Sequence, residues 1–220
     1  MIDVKKLYNS RFSSFERVRK EKLWKILCRE FLQKFIHPTD TIVDLGAGEC
    51  EFINNIHGQK KIAVDINKHT QKLAAKNVQV ITASVKKPRS LFDANSIDVV
   101  FMSNLLEHME NKEDVFRILR ETYLILKPKG RLLIMQPDIK LVGGAYWDFF
   151  DHKVPLTLAS INEALRANDY TISYTLYPFL PYSTKVRFLP LWPQLLKLYL
   201  RIRPLHFIFG KQFFLCASKA

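Results

Sequence analysis

The sequence predicts an α/β protein built on a doubly wound, mostly parallel seven-stranded sheet, and three observations predict it. Short apolar runs alternate with amphipathic stretches between residues 41 and 136, the pattern of parallel strands joined by crossover helices. The first run, Thr41–Leu45, leads directly into Gly46-Ala47-Gly48. Such a turn brings bare backbone close to a ligand at the carboxyl end of a strand, where open α/β sheets bind ligands. Two further alternating runs, 170–177 and 212–219, close the chain.

Before the first strand, 15–36 has apolar residues near helical spacing (Val18, Leu23, Ile26, Leu27, Phe31, Phe35, Ile36) with basic residues between them. It is expected to be a helix beside the sheet, ended by His37-Pro38. Strands are expected at 41–45, 61–66, 78–82, 97–102 and 130–136, and helices at 49–56, 68–75 and 112–126. Lys127-Pro128-Lys129-Gly130 should form the turn into the fifth strand, with proline stopping the helix and Gly130 free to take positive φ. A long aromatic loop follows from Gln136. Thr157 is placed to cap a helix over 158–168. Between the last two strands lies a helical insertion, 178–210, with its helix expected at 193–203.

The chain has 220 residues, 48% of them hydrophobic, enough for one α/β core and too few for two full domains. The expected division is an N-terminal helical segment, 1–40; a ligand-binding core, 41–137; an acceptor loop, 138–158; and the insertion, 178–210. The start is polar and charged, which argues against secretion. Cys28, Cys50 and Cys216 are few and scattered, with neither disulfide nor metal spacing, so a cytoplasmic setting and no metal are expected. The net charge is +13. No Asp or Glu follows Asp169, whereas seven Lys and Arg do. The C-terminal region is therefore of one sign, as an anionic partner would require.

The glycine spacing separates three cofactor classes. A dinucleotide fingerprint would want glycine where Glu51 stands, and no G-K-[ST] of a P-loop follows. What remains is Asp44, then Gly46-x-Gly48. The second strand ends in Asp65, at the distance from the turn where an acid can hold a ribose diol.

These residues resemble the first motifs of the class I S-adenosylmethionine (SAM) methyltransferases, a Rossmann-like family, with Cys50 in place of the usual third glycine. Ile81-Thr82-Ala83-Ser84, Asn104-Leu105-Leu106-Glu107-His108 and the Leu126–Gly130 turn extend the resemblance over about 40–137. It implies SAM as cofactor, held by Asp44, Leu45, Gly46, Ala47, Gly48, Asp65, Ile66, Ala83, Ser84, Asn104, Leu105 and His108. It also makes Tyr8 and Arg11 candidates for an N-terminal lid. The Asn104–His108 segment lacks the N-P-P-Y pattern of nucleobase amino-methylating enzymes, which makes nucleic acid a poor acceptor.

Asp151-His152-Lys153-Val154-Pro155-Leu156-Thr157 resembles a D-H-x-x-P-L-T segment of methyltransferases from bacterial surface-glycan pathways. It implies O-methylation of a small molecule, sugar or lipid-linked glycan. His152 is then the first candidate base, oriented by Asp151, and His108 the second. The basic, aromatic insertion 178–210 fits peripheral contact with an anionic membrane at its inner face, a packed subdomain or a homodimer contact. The competing readings are a SAM-fold accessory protein without turnover and an RNA-directed methyltransferase.

Overall fold

In a computed structural model of the chain, residues 14–182 and 193–220 are described. The lid candidates Tyr8 and Arg11, and Lys185, Arg187, Phe188, Pro190 and Trp192 of the insertion, lie outside them.

A helix, α1 (Ser14–Glu30), precedes the sheet. Then come β1 (Thr41–Leu45), α2 (Glu51–Asn55), β2 (Lys60–Asp65), α3 (Thr70–Leu73), β3 (Val78–Thr82) and β4 (Ile97–Ser103). The second half holds α4 (Lys112–Ile125), β5 (Leu126–Pro137), α5 (Ile139–Val142), α6 (Leu158–Arg166), β6 (Tyr170–Leu176), α7 (Pro193–Arg201), α8 (Arg203–Phe209) and β7 (Gln212–Lys219). The strands form one seven-stranded sheet in the order β3-β2-β1-β4-β5-β7-β6. Strands β1 to β5 pair in parallel, and β7 runs antiparallel to both β5 and β6.

The parallel strands are apolar on both faces because both faces are covered. Alternate residues of β1 feed different layers: Val43 and Leu45 meet α4 and α6, while Ile42 meets α1 and α2. Each fully buried Leu, Ile or Phe of these layers contributes about 1.5–3 kcal/mol relative to exposure. Strand order reverses between β1 and β4, so the crevice beyond their carboxyl ends is the natural ligand site.

Several elements depart from the sequence expectation, each for a local reason. Helix α1 stops at Glu30, and a 3-10 turn, Leu32–Phe35, replaces its last turns. That tighter winding sets the rings of Phe31 and Phe35 each 4.9 Å from Phe214. Helix α2 starts two residues late because Cys50 takes φ +63°. Helix α3 is a single turn because the Asn54 side chain binds the Leu73 carbonyl and the Ala75 N–H. Strand β5 starts at Leu126, before the expected turn, and residues 127–130 form an irregularity within it where Lys129 and not Gly130 has positive φ, +63°. Gly130 is required for space instead: a Cβ there would lie 2.7 Å from the Lys127 carbonyl oxygen.

The loop after β5 is ordered. Asp138 caps α5 at the Lys140 N–H with one oxygen and takes the Leu158 N–H of α6 with the other. Thr157 caps α6 in a reciprocal box with Ser160, as the sequence leads one to expect.

Candidate active site and cofactor cleft

The glycine turn is clamped between two strands. The N–H groups of Gly46 and Ala47 both donate to the Val64 carbonyl, at 2.9 and 3.2 Å. Gly46 has φ +79°, and a Cβ there would come within 2.8 Å of Leu105 Cδ1. Thus the exit of β4 packs directly on the turn after β1. Cys50, fully buried, carries the left-handed backbone that a third glycine would otherwise take, at a cost of about 1 kcal/mol. Burial, reinforced by the nearby Asp44, Glu51 and Asp65 charges, pushes its thiol up to about 12, so it stays protonated packing.

Asp65 closes the cleft from β2. One of its oxygens accepts the Gly48 N–H and the other the Asn67 N–H, both at 2.8 Å. The adjoining Ile66 is 67% exposed, a free apolar surface at the strand tip. Asp44 is buried on the other side of the turn, and its Oδ2 has no hydrogen-bond partner among the described residues. Burial first, then the charges of Glu51 and Asp65, hold its carboxyl well above the usual carboxylate range. Lys20 of α1 reaches across to Glu51 at 2.6 Å and Glu49 at 3.8 Å, so the N-terminal helix flanks the turn.

The other expected cofactor residues fall around this rim. Leu45 and Ala47 are buried and offer only backbone. The Ala83 N–H donates to the Asp65 carbonyl, and Ser84 is exposed with its hydroxyl accepting the Lys86 N–H at 3.3 Å. Asn104 is exposed at φ +47°, its N–H held by the Met135 carbonyl. These features fit an adenosyl sulfonium. Gly46 leaves room for close approach, Asp65 has lone pairs left for a ribose diol, and Asp44 Oδ2 is a buried acceptor atom without a donor among the described residues, which a cationic ligand would satisfy.

Beyond Leu105 lies a second cluster. A 3-10 turn, Leu106–His108, carries Glu107 and His108. The Lys153 and Val154 N–H groups donate to the Glu107 carbonyl at 2.8 and 3.1 Å, pinning the post-β5 loop onto this turn. His108 Nδ1 lies 3.1 Å from the Asp151 carbonyl and 3.4 Å from Asp151 Oδ2. The His108 side chain keeps 23% exposure. His152 is deeper, at 5%. Its ring stacks on Phe149 at 4.9 Å, meets Tyr146 at 4.7 Å and stands 5.0 Å from His108. Its Nε2 is 3.9 Å from Glu107 Oε1, and its Nδ1 is 3.5 Å from the Tyr182 hydroxyl. Burial raises the Glu107 carboxyl, against the opposing pull of His108 and of the Gln136 amide, which donates to Oε2 at 2.6 Å.

So the structure brings His108, Asp151 and His152 together but pairs Asp151 with His108, while Glu107 faces His152. Glu107, Gln136, Tyr146 and Tyr182 were not singled out as site residues from sequence. Only the adjacent Glu107-His108 pair was a local signal; Tyr182 belongs to the insertion and reaches the site through the fold. One donor atom each from Glu107, His108 and His152 lies within 4.8 Å of the others.

Comparison with known proteins agrees with this geometry. The model of the methyltransferase domain family matches residues 43–134, from β1 through the core of β5. The fold is similar to that of a SAM-dependent methyltransferase from Archaeoglobus fulgidus, at 19% identity, TM-score 0.67, over 90% of this chain and 94% of that one. It is similar to a SAM-dependent methyltransferase from Thermotoga maritima, at 16% identity, TM-score 0.67, over 97% and 98% of the two chains. A structure of the Haloferax volcanii Trm112 methyltransferase activator in complex with a methyltransferase also matches, at 15% identity, TM-score 0.66, over 94% of each chain. No curated protein sequence matches the chain. The sheet order gives this chain the fold of the class I SAM-dependent methyltransferases, and the glycine turn with its two aspartates, together with the methyltransferase-domain match over residues 43–134, supports SAM-dependent methyl transfer with SAM as cofactor.

Proposed function

We propose that this enzyme methylates a hydroxyl group on a sugar-bearing acceptor, either a free small molecule or a lipid-linked glycan, with His108 as the general base. The observation that carries the reading is the Asp151–His108 pair at the mouth of the cofactor cleft. Asp151 engages Nδ1 and so leaves Nε2 for the acceptor, the arrangement in which a carboxylate fixes an imidazole's tautomer and stabilises its protonated form. His108 follows Asn104 and Leu105, which line the cleft, and it is the more exposed of the two imidazoles.

Bound SAM supplies an electrophilic methyl group on a sulfonium. The chain's part is to hold an acceptor oxygen in line with that methyl, to keep water away and to take the hydroxyl proton at His108 Nε2. Positioning of this kind supplies several kcal/mol by itself. His152 then acts as a positioning residue. Wedged between Phe149, Tyr146 and the buried Glu107, it fixes the loop that carries Asp151. The acceptor class rests on the loop's resemblance to glycan-pathway enzymes and on the exposed Trp147 and Phe150 beside half-buried Phe149, aromatic faces of the kind on which sugar rings stack.

Radiolabelled SAM incubated with the enzyme and a fractionated cell extract tests this directly. Label is expected in a polysaccharide or organic-extractable fraction, stable to alkali as an ether is. Label confined to RNA would favour the RNA-directed reading. Tight SAM binding with no transfer to any fraction would favour an accessory protein.

A further inference from the structure

The last two helices leave an unusual surface. Their inner side is tied down: the Tyr199 hydroxyl donates to the Phe179 carbonyl, and buried His206 holds the Tyr199 carbonyl through Nε2 at 2.9 Å. Their outer side is apolar and open. Phe207 is 72% exposed, Ile208 65% and Phe209 40%, three consecutive large side chains on a seven-residue helix. Leaving Phe207 and Ile208 in water forgoes the gain that burying large apolar side chains brings. Arg201 and Arg203 precede this tip and Lys211 follows it, in a region without a single acid. Exposed aromatic and aliphatic residues ringed by cations match the interfacial zone of a bilayer bearing anionic lipid.

A second, independent feature lies beneath the tip. A cavity of about 110 Å³ opens there, lined by Thr175, Tyr177, Pro178, Arg203, His206 and Phe207 among others. His206 is 2% exposed, and its Nδ1 has no hydrogen-bond partner among the described residues. Because Nε2 is the donor to Tyr199, Nδ1 is a bare acceptor in need of a hydroxyl or amine proton. Burial holds the imidazole below its ordinary value, which keeps that acceptor available. With Arg203 and His206 both among its lining residues, the cavity suits a ligand that carries both a negative charge and a hydroxyl.

The surface also has a meaningful position. Lys211 donates its N–H to the Leu180 carbonyl and accepts the Asp138 N–H at its own, which ties the end of α8 to the exit of β5. The 178–182 segment beside it delivers Tyr182 to His152. The tip, the cavity and the acceptor corner therefore share the ligand-binding end of the sheet.

We propose that Phe207–Phe209 dock this enzyme on an anionic lipid bilayer, with a hydroxyl-bearing phospholipid headgroup entering the cavity between Arg203 and His206. Docking rests on the methyl-transfer reading only for its purpose, which is to take the acceptor from the membrane interface.

The test is co-sedimentation of the full chain with vesicles. Wild type should pellet with phosphatidylglycerol-containing vesicles and not with pure phosphatidylcholine, and pelleting should fall as salt rises. The double substitution Phe207→Ser/Ile208→Ser should reduce it at least tenfold, with SAM affinity by calorimetry unchanged as the check on folding. At matched surface charge, wild type should prefer phosphatidylglycerol to phosphatidic acid, whose headgroup lacks the extra hydroxyls, and His206→Leu should erase that preference. Failure of wild type to pellet at low salt would overturn the proposal. So would equal pelleting of the double variant, or a wild-type dimer that the double variant dissociates without any vesicle binding. Pelleting that glycerol phosphate abolishes but that the Phe207→Ser/Ile208→Ser substitution leaves unchanged would show a free ligand rather than a bilayer, and would overturn it too. If wild type failed to bind SAM but still pelleted, the methyl-transfer reading would fall and the docking would stand.

Discussion

Substituting Asp65 by Ala should weaken SAM binding by about 100-fold or more while leaving the sheet folded. Asp65 does two things in the cleft. Its two oxygens hold the Gly48 and Asn67 N–H groups, and so fix the glycine turn and the tip of β2 in one geometry. The same oxygens retain lone pairs toward the cleft, where a ribose diol would donate. Hydrogen bonds to a charged acceptor are worth about 1.5–3 kcal/mol each. Losing two of them corresponds to about 10²–10⁴ in affinity. Asp65→Asn keeps one oxygen acceptor and should lose less. Calorimetry with SAM or its demethylated product measures both variants, and circular dichroism confirms the fold. Unchanged affinity in Asp65→Ala would mean that the cofactor lies elsewhere.

The second large effect is expected at His108. His108→Gln should lower kcat by about 10²–10⁴, the usual worth of a positioned general base. SAM affinity should change by no more than about threefold, and the rise of rate with pH that reports the imidazole should flatten. Asp151→Asn should cost less, about tenfold, because it removes the orienting group and leaves the base. Glu107→Gln serves as the contrast, since its carboxyl faces the buried His152. Burial raises Glu107 above 4.5 in the folded protein. The folded chain therefore keeps this proton where the unfolded chain loses it. The resulting stability is present below about pH 4.5 and is lost as pH rises through the folded value. Glu107→Gln should accordingly gain thermal stability relative to wild type from pH 5 upward, without flattening the pH–rate profile. If His152→Gln abolished turnover and His108→Gln did not, the assignment of base and positioning residue would be reversed.

Much of the fold was legible because the strands that form the sheet's centre are covered on both faces. Runs such as 42–45 and 97–102 can hardly be anything but buried parallel strands. The geometry of the glycine turn was legible for a related reason. Gly46, Gly48 and Asp65 are placed together by backbone and strand-end positions, which spacing along the chain specifies. The acceptor corner was only half legible. Asp151 and His152 are neighbours in sequence, so an orienting pair was the natural expectation. The Asp151–His108 contact instead joins residues 43 positions apart, and it depends on the Lys153 and Val154 amides docking on Glu107. No local pattern encodes that docking. The start of β5 shows the converse: the expected turn at 127–130 is an irregularity inside the strand, where Lys129 has the left-handed conformation and Gly130 is needed for clearance from Lys127. Helix lengths failed where a side chain from another element, such as Asn54, captured backbone groups that a longer helix would have used.

The central claim is that SAM lies over the Gly46–Gly48 turn with its ribose on Asp65 and its reactive end toward His108. A crystal structure with the demethylated cofactor bound tests it most directly. The ribose hydroxyls should sit within hydrogen-bond distance of the Asp65 carboxylate, with the cofactor's sulfur on the His108 side of Leu105. Cofactor density away from the turn, or a ribose without contact to Asp65, would contradict it.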